Sequence, residues 1–91
     1  MVLDSTYKDR IKHIRTVLDI TQVEFAESAG LYQYIISEIE SGKRTAMDDK
    51  NAYKLKTAIE AFEKEIDKYE KSNKQRIENN VKQLVAKATK S

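Results

Sequence analysis

Residues 15–44 read RTVLDITQVEFAESAGLYQYIISEIESGKR, and this stretch decides the fold. Within it Thr21-Gln22-Val23-Glu24 is a capping box. The threonine hydroxyl and the glutamate carboxylate can each satisfy a backbone N–H that a helix start leaves without a partner. The box opens a helix over 22–29, with Phe25 and Ala26 or Ala29 facing inward. Gly30 ends that helix, because glycine enters the left-handed backbone region at low cost. A further short helix follows over 32–40, burying Ile36 and Ile39, and Gly42 stops it in the same way. The chain has only these two glycines in 91 residues, and together they bracket one helix.

Two short helices joined by a tight, glycine-containing turn form a helix-turn-helix unit. To meet base edges, the second helix must be held by its inner face and be polar on its outer face near the N-terminus. Gln33, Tyr34 and Ser37 fall at those outer positions. Gln33 is the leading candidate, since glutamine can pair bidentately with adenine.

Outward from the motif the chain stays helical. Upstream, Ile11, Ile14, Val17 and Leu18 are spaced as one buried helix face. Downstream, Leu55, Ile59, Phe62, Ile66 and Tyr69 follow spacings of 4, 3, 4 and 3, a heptad seam. The pattern then slips through Asn73 and Ile77 before Val81, Leu84 and Ala88 resume. Both a stutter in one helix and a break at Ser72-Asn73 fit this slip. Glu60/Lys64, Asp67/Lys71 and Glu78/Lys82 add acid-before-base pairs at i, i+4, and Asp48-Asp49 suits the start of the long helix. Sustained alternation and Asn-Gly or Asp-Gly turns, the signs of strands and hairpins, are absent.

The reading is therefore all-α: a small helix-turn-helix bundle of four to five helices with a long C-terminal helical extension. The DNA-binding domain is expected over 1–60, and an oligomerisation or partner-binding extension over 61–91. Leu55 and Ile59 lie close enough to the motif to cover its core within one chain. Phe62, Ile66 and Tyr69 extend past that domain, where a monomer would leave them under-buried, and are expected to join two copies.

Composition narrows the function. Without cysteine or proline and with a single histidine, His13, the chain has no disulfide framework and no thiolate or imidazole metal cluster. No glycine-rich phosphate loop or nucleophile–base pair supports catalysis, so no enzyme activity, cofactor or metal is expected. No run approaches the roughly 20 apolar residues of a membrane span, and no basic-then-apolar leader opens the chain; a cytoplasmic location fits. The 17 basic and 15 acidic residues nearly cancel. Residues 1–46 carry 6 basic and 7 acidic side chains, and residues 74–91 carry 5 and 1. Any DNA affinity must therefore come from a few well-placed cations.

The Thr21-Gln22, Phe25-Ala26, Gly30, Ile36-Ser37-Glu38-Ile39-Glu40 and Gly42-Lys43-Arg44 features together resemble the lambda-repressor-like (Cro/repressor type) helix-turn-helix family. The resemblance runs from Arg10 to about Ile59 and implies roles residue by residue. Gln22 would touch phosphate and brace the reading helix. Gln33, Tyr34 and Ser37 would contact bases. Lys43 and Arg44 would grip the DNA backbone, and Arg15 and Glu40 would form an ion pair locking the first helix to the third. It also implies a homodimeric transcriptional regulator of double-stranded DNA, acting as a repressor of phage, plasmid or host promoters. Three positions depart from the family pattern: Tyr32 stands where a serine or threonine cap is usual, Asp19 where glycine is common, and Ala46 where proline is frequent.

A second reading is a helix-turn-helix protein-interaction module, antirepressor or antitoxin-like, with a second protein bound through the C-terminal helices. The apolar Tyr32-Tyr34-Ile35 surface and the slightly acidic motif region favour it.

Overall fold

The structure, a computed structural model, describes the backbone of residues 1–89 and the side chains of residues 1–70. Four helices follow one another: α1 (Tyr7–Leu18), α2 (Gln22–Ala29), α3 (Gln33–Glu40) and α4 (Asp49–Thr89). Helix α4 runs unbroken through Ser72-Asn73, so the slip in spacing there is carried by a continuous helix. The seam positions Ile77, Val81, Leu84 and Ala88 and the Asp67/Lys71 and Glu78/Lys82 pairs involve side chains outside those described.

Local chemistry sets the helix ends. The Asp4 carboxylate accepts from the Thr6 amide at 2.8 Å and the Thr6 hydroxyl at 2.6 Å just before α1. Those hydrogen bonds hold the Asp4 carboxyl below its usual value. Helix α1 ends at Asp19, a non-glycine residue in the left-handed region at φ 53°, a conformation that aspartate tolerates better than most side chains. The capping box of α2 is complete: the Glu24 amide donates to the Thr21 hydroxyl, and the Thr21 amide donates to the Glu24 carboxylate, each at 3.1 Å. Gly30 then turns the chain at φ 72°.

The core gathers where α3 packs on α1 and α2, and where α1 and α2 pack on the first half of α4. Ile11, Ile14, Phe25, Ile36, Leu55 and Ile59 are fully buried there, each worth about 1.5–3 kcal/mol relative to exposure. Val17, expected on the inner face of α1, lies on its exposed side. The spacing from Ile14 to Val17 turns it toward the rim, and Leu18 packs against the core instead.

The core reaches further along α4 than the expected boundary at residue 60. The Phe62 ring stacks on Phe25 with centroids 5.4 Å apart, and Ile66 belongs to the buried cluster at 5% exposure. These two residues therefore pack within the chain, contrary to the expectation that a monomer leaves them under-buried. The reason is geometric: Phe25 of α2 meets Phe62, and α1 lies along the same stretch of α4. Arg10 fixes that alignment, donating through Nε to Glu63 Oε2 at 2.8 Å and through Nη2 to Oε1. The same hydrogen bonds hold the Glu63 carboxyl below its ordinary value and the guanidinium above its own. Only Tyr69, at 58% exposure, remains as the exposed member of the seam's first five.

Strands are absent among the described residues, but an isolated antiparallel bridge joins Val2 to Ala46. The Leu3 amide donates to the Thr45 carbonyl at 2.8 Å, and the Met47 amide to the Met1 carbonyl at 3.0 Å. The N-terminal segment thereby straps the loop between α3 and α4. The long axis measures 63 Å, about the 60 Å that 1.5 Å per residue gives for α4 alone. Its second half thus projects beyond the other three helices.

Ile66→Ala should lower stability by about 2–4 kcal/mol, the usual cost of emptying a buried isoleucine site. Tyr69→Ala should stay within about 0.5 kcal/mol at concentrations where the chain is monomeric. Urea unfolding at several protein concentrations checks both. A loss at Ile66 that vanished on dilution would place the residue against a partner instead.

Candidate nucleic-acid interface

Helix α3 has eight residues, too few to be stable in water without tertiary support. Its inner face supplies that support. Ile35, Ile36, Ile39 and Glu40 are all buried, and the turn from α2 to α3 is closed by the Leu31 amide donating to the Ala26 carbonyl at 2.9 Å. Ile35, expected to form an apolar surface with the neighbouring tyrosines, is thus part of the core. It sits one position before Ile36 and one turn before Ile39, close enough to share their face.

The outer face is what remains. Gln33 and Tyr34 are exposed, and Ser37 is half-buried one turn on. Gln33 donates through Nε2 to Gln22 Oε1 at 2.9 Å, so the first residue of α3 is tied to the first residue of α2. That bond aims one amide and joins two helix starts. Tyr32 occupies the N-cap in extended conformation and makes no side-chain cap; its ring stacks on Tyr34 with centroids 5.8 Å apart and planes 14° from parallel.

The far end of α3 is held by charge. Arg15 donates through Nη1 to Glu40 Oε1 at 2.7 Å and through Nε to the Ile20 carbonyl at 3.3 Å. One guanidinium thus joins α1, the α1–α2 turn and α3. The burial is one-sided: the Glu40 side chain is 7% exposed and that of Arg15 26%. Glu40 Oε2 is buried and has no hydrogen-bond partner among the described residues. The carboxylate therefore depends on Arg15 for most of its compensation.

No family model matches the chain, and no curated protein or solved structure matches it.

Beyond α3, Gly42 adopts φ 81°, and the loop curls back so that the Lys43 and Arg44 amides both donate to the Glu38 carbonyl, at 2.9 and 3.2 Å. The two cations of this loop then differ. Lys43 is exposed. Arg44 is half-buried, with Nε at 2.8 Å and Nη2 at 2.7 Å from Glu38 Oε2. Sequence reasoning missed Glu38 as its partner: the two are six residues apart across a helix end, where no periodic pairing rule applies.

Candidate base-facing residues, the brace from Gln22 and the exposed Lys43 thus lie on α2, α3 and the loop after α3. Phe62, Ile66 and Tyr69 lie apart from them on α4. Arg15→Ala should cost about 3–5 kcal/mol, because it strands a buried carboxylate. Glu40→Gln keeps the shape and an acceptor for Arg15, and should cost only about 1 kcal/mol. Chemical denaturation of the two variants checks the order; equal losses would mean that Arg15 does not compensate a buried charge.

Proposed function

We propose that this chain is a sequence-specific transcriptional regulator of double-stranded DNA, a repressor that inserts α3 into the major groove and acts as a homodimer. The observation that carries the reading is the division of α3 into an anchored face and a free one. Ile35, Ile36, Ile39 and Glu40 are buried, while Gln33 and Tyr34 face solvent at its start. A reading helix needs that division, since base contacts discriminate only when the helix presenting them cannot shift. The Gln22–Gln33 hydrogen bond adds to it. It leaves the Gln33 amide oriented for a bidentate partner and keeps Gln22 at the start of α2, where backbone N–H groups favour phosphate. The resemblance to lambda-repressor-like proteins points the same way.

A dimer of such modules spans half-sites about 34–36 Å apart. With Phe62 and Ile66 packed on the core, Tyr69 is the described seam residue left to meet a second copy in this reading. The chain has no helix among its described residues that is long and apolar enough to cross a membrane, and a cytoplasmic site of action accords with a DNA target.

The stacked Tyr32–Tyr34 pair favours one competing reading, an antirepressor or antitoxin-like interaction module. Tyr32 is 72% exposed and Tyr34 54%, and tyrosines of this kind are enriched where proteins meet.

Losing a bidentate base contact costs about 1–3 kcal/mol on the preferred site and little on unrelated DNA. Gln33→Ala should therefore flatten preference at one position of each half-site and leave the salt dependence unchanged. Lys43→Ala should keep the preference and lower the salt slope by about one unit. Titrations of a selected duplex and a scrambled one at several salt concentrations check both. Equal weakening of the two duplexes by Gln33→Ala would remove it as a reader. No effect of either substitution would put the interaction-module reading first.

A further inference from the structure

Among the residues whose side chains are described there are three arginines, and each is paired with a carboxylate: Arg10 with Glu63, Arg15 with Glu40 and Arg44 with Glu38. A guanidinium already neutralised by a carboxylate releases no DNA counterion unless that pair is first broken. The cations left to meet phosphate are lysines, and the structure brings one to the loop from outside the motif. Lys8, on the first turn of α1, is exposed, and its Nζ lies 3.7 Å from the position a β-carbon on Gly42 would take. Ser5, Lys8, Gly42, Arg44 and Thr45 border one shallow surface hollow. Asp4, which borders the same hollow, is turned to the Thr6 amide and hydroxyl, and neither it nor Asp9 makes an ion pair with Lys8.

We propose that Lys8 is a phosphate-binding residue, and that with Lys43 it carries the loop's grip on the DNA backbone. Arg44 is a positioning residue that clasps the loop to α3 through Glu38. The proposal rests on the DNA-binding reading and revises which cations serve it. The positive φ of Gly42 turns the chain at the end of α3, and the Lys8 ammonium lies in contact range of that turn. The Val2–Ala46 bridge holds the segment leading into α1 against the same loop, so Lys8 and Lys43 are kept on one rigid unit. Two lysines on backbone segments that are tied together can reach neighbouring phosphates at less ordering cost than separate flexible segments would carry.

The test uses the full chain and two duplexes, one selected and one scrambled, titrated from about 50 to 200 mM salt. Each phosphate cation contributes about 0.9 to the slope of log K against log salt. Lys8→Ala should lower that slope by about one on both duplexes. Its affinity deficit relative to wild type then shrinks about threefold to fourfold across the range. Lys8→Arg should restore the wild-type slope. Arg44→Ala should leave the slope unchanged, and Glu38→Gln, which frees Arg44, should raise it by about one. Melting temperatures of all variants separate lost grip from lost fold. An unchanged slope in Lys8→Ala, or a slope lowered by Arg44→Ala, overturns the assignment and leaves DNA binding standing. A wild-type chain with no affinity for either duplex overturns the DNA-binding reading, and this assignment with it.

Discussion

The contact between Arg15 and Glu40 is the constraint on which the candidate interface depends. An eight-residue helix lies below the length at which backbone hydrogen bonds alone hold it together, so α3 keeps its place through what it buries. Three isoleucines fix its inner face, and they are apolar contacts that would tolerate a small rotation. A carboxylate with 7% of its side chain exposed, meeting one guanidinium at 2.7 Å, tolerates little. Rotation of α3 would pull Glu40 from Arg15 and leave a charge in a site of low polarity. The direction in which Gln33 and Tyr34 face is thus set at the opposite end of the helix.

Among the described residues, the arginines serve for internal fastening. Arg10 aligns α1 with α4, Arg15 locks α3, and Arg44 closes the loop after it. Such pairs near a surface add modest stability, but each joins segments that are distant in sequence or that meet at a helix end. The arrangement reconciles a nearly neutral chain with a DNA-binding reading: the arginines hold the frame, and a few lysines beside the loop are left to meet phosphate. Specificity in such a protein would owe more to helix placement than to a strong positive field.

Much of this frame is legible in the amino-acid sequence, and the limits have physical causes. Thr21, Glu24 and Gly30 mark both ends of α2 because capping and left-handed turns are local events with definite side-chain requirements. The all-α class follows from periodicity that persists almost throughout. The same periodicity says which side of α4 is apolar and nothing about what covers it, so Phe62 and Ile66 read as a dimer seam although they pack on the core. Ile35 is hidden for a related reason, since two adjacent isoleucines cannot both be assigned by spacing. The Arg15–Glu40 pair is suggested by the family resemblance rather than by spacing. Arg10–Glu63 and the Val2–Ala46 bridge leave no local mark, because the first joins residues 53 apart and the second is made by backbone atoms alone. Asp19 shows the reverse case: a position where the resembling family uses glycine keeps the left-handed turn with a different residue.

The most direct measurement of the central claim is selection of bound sequences from a pool of random duplex DNA by the full-length chain, followed by footprinting on the enriched duplex. The account predicts enrichment of a two-fold-related site whose half-sites lie one helical turn apart, with protection of major-groove base edges at each. A pool that stays random after repeated rounds, or a protein retained equally by every duplex, would contradict it.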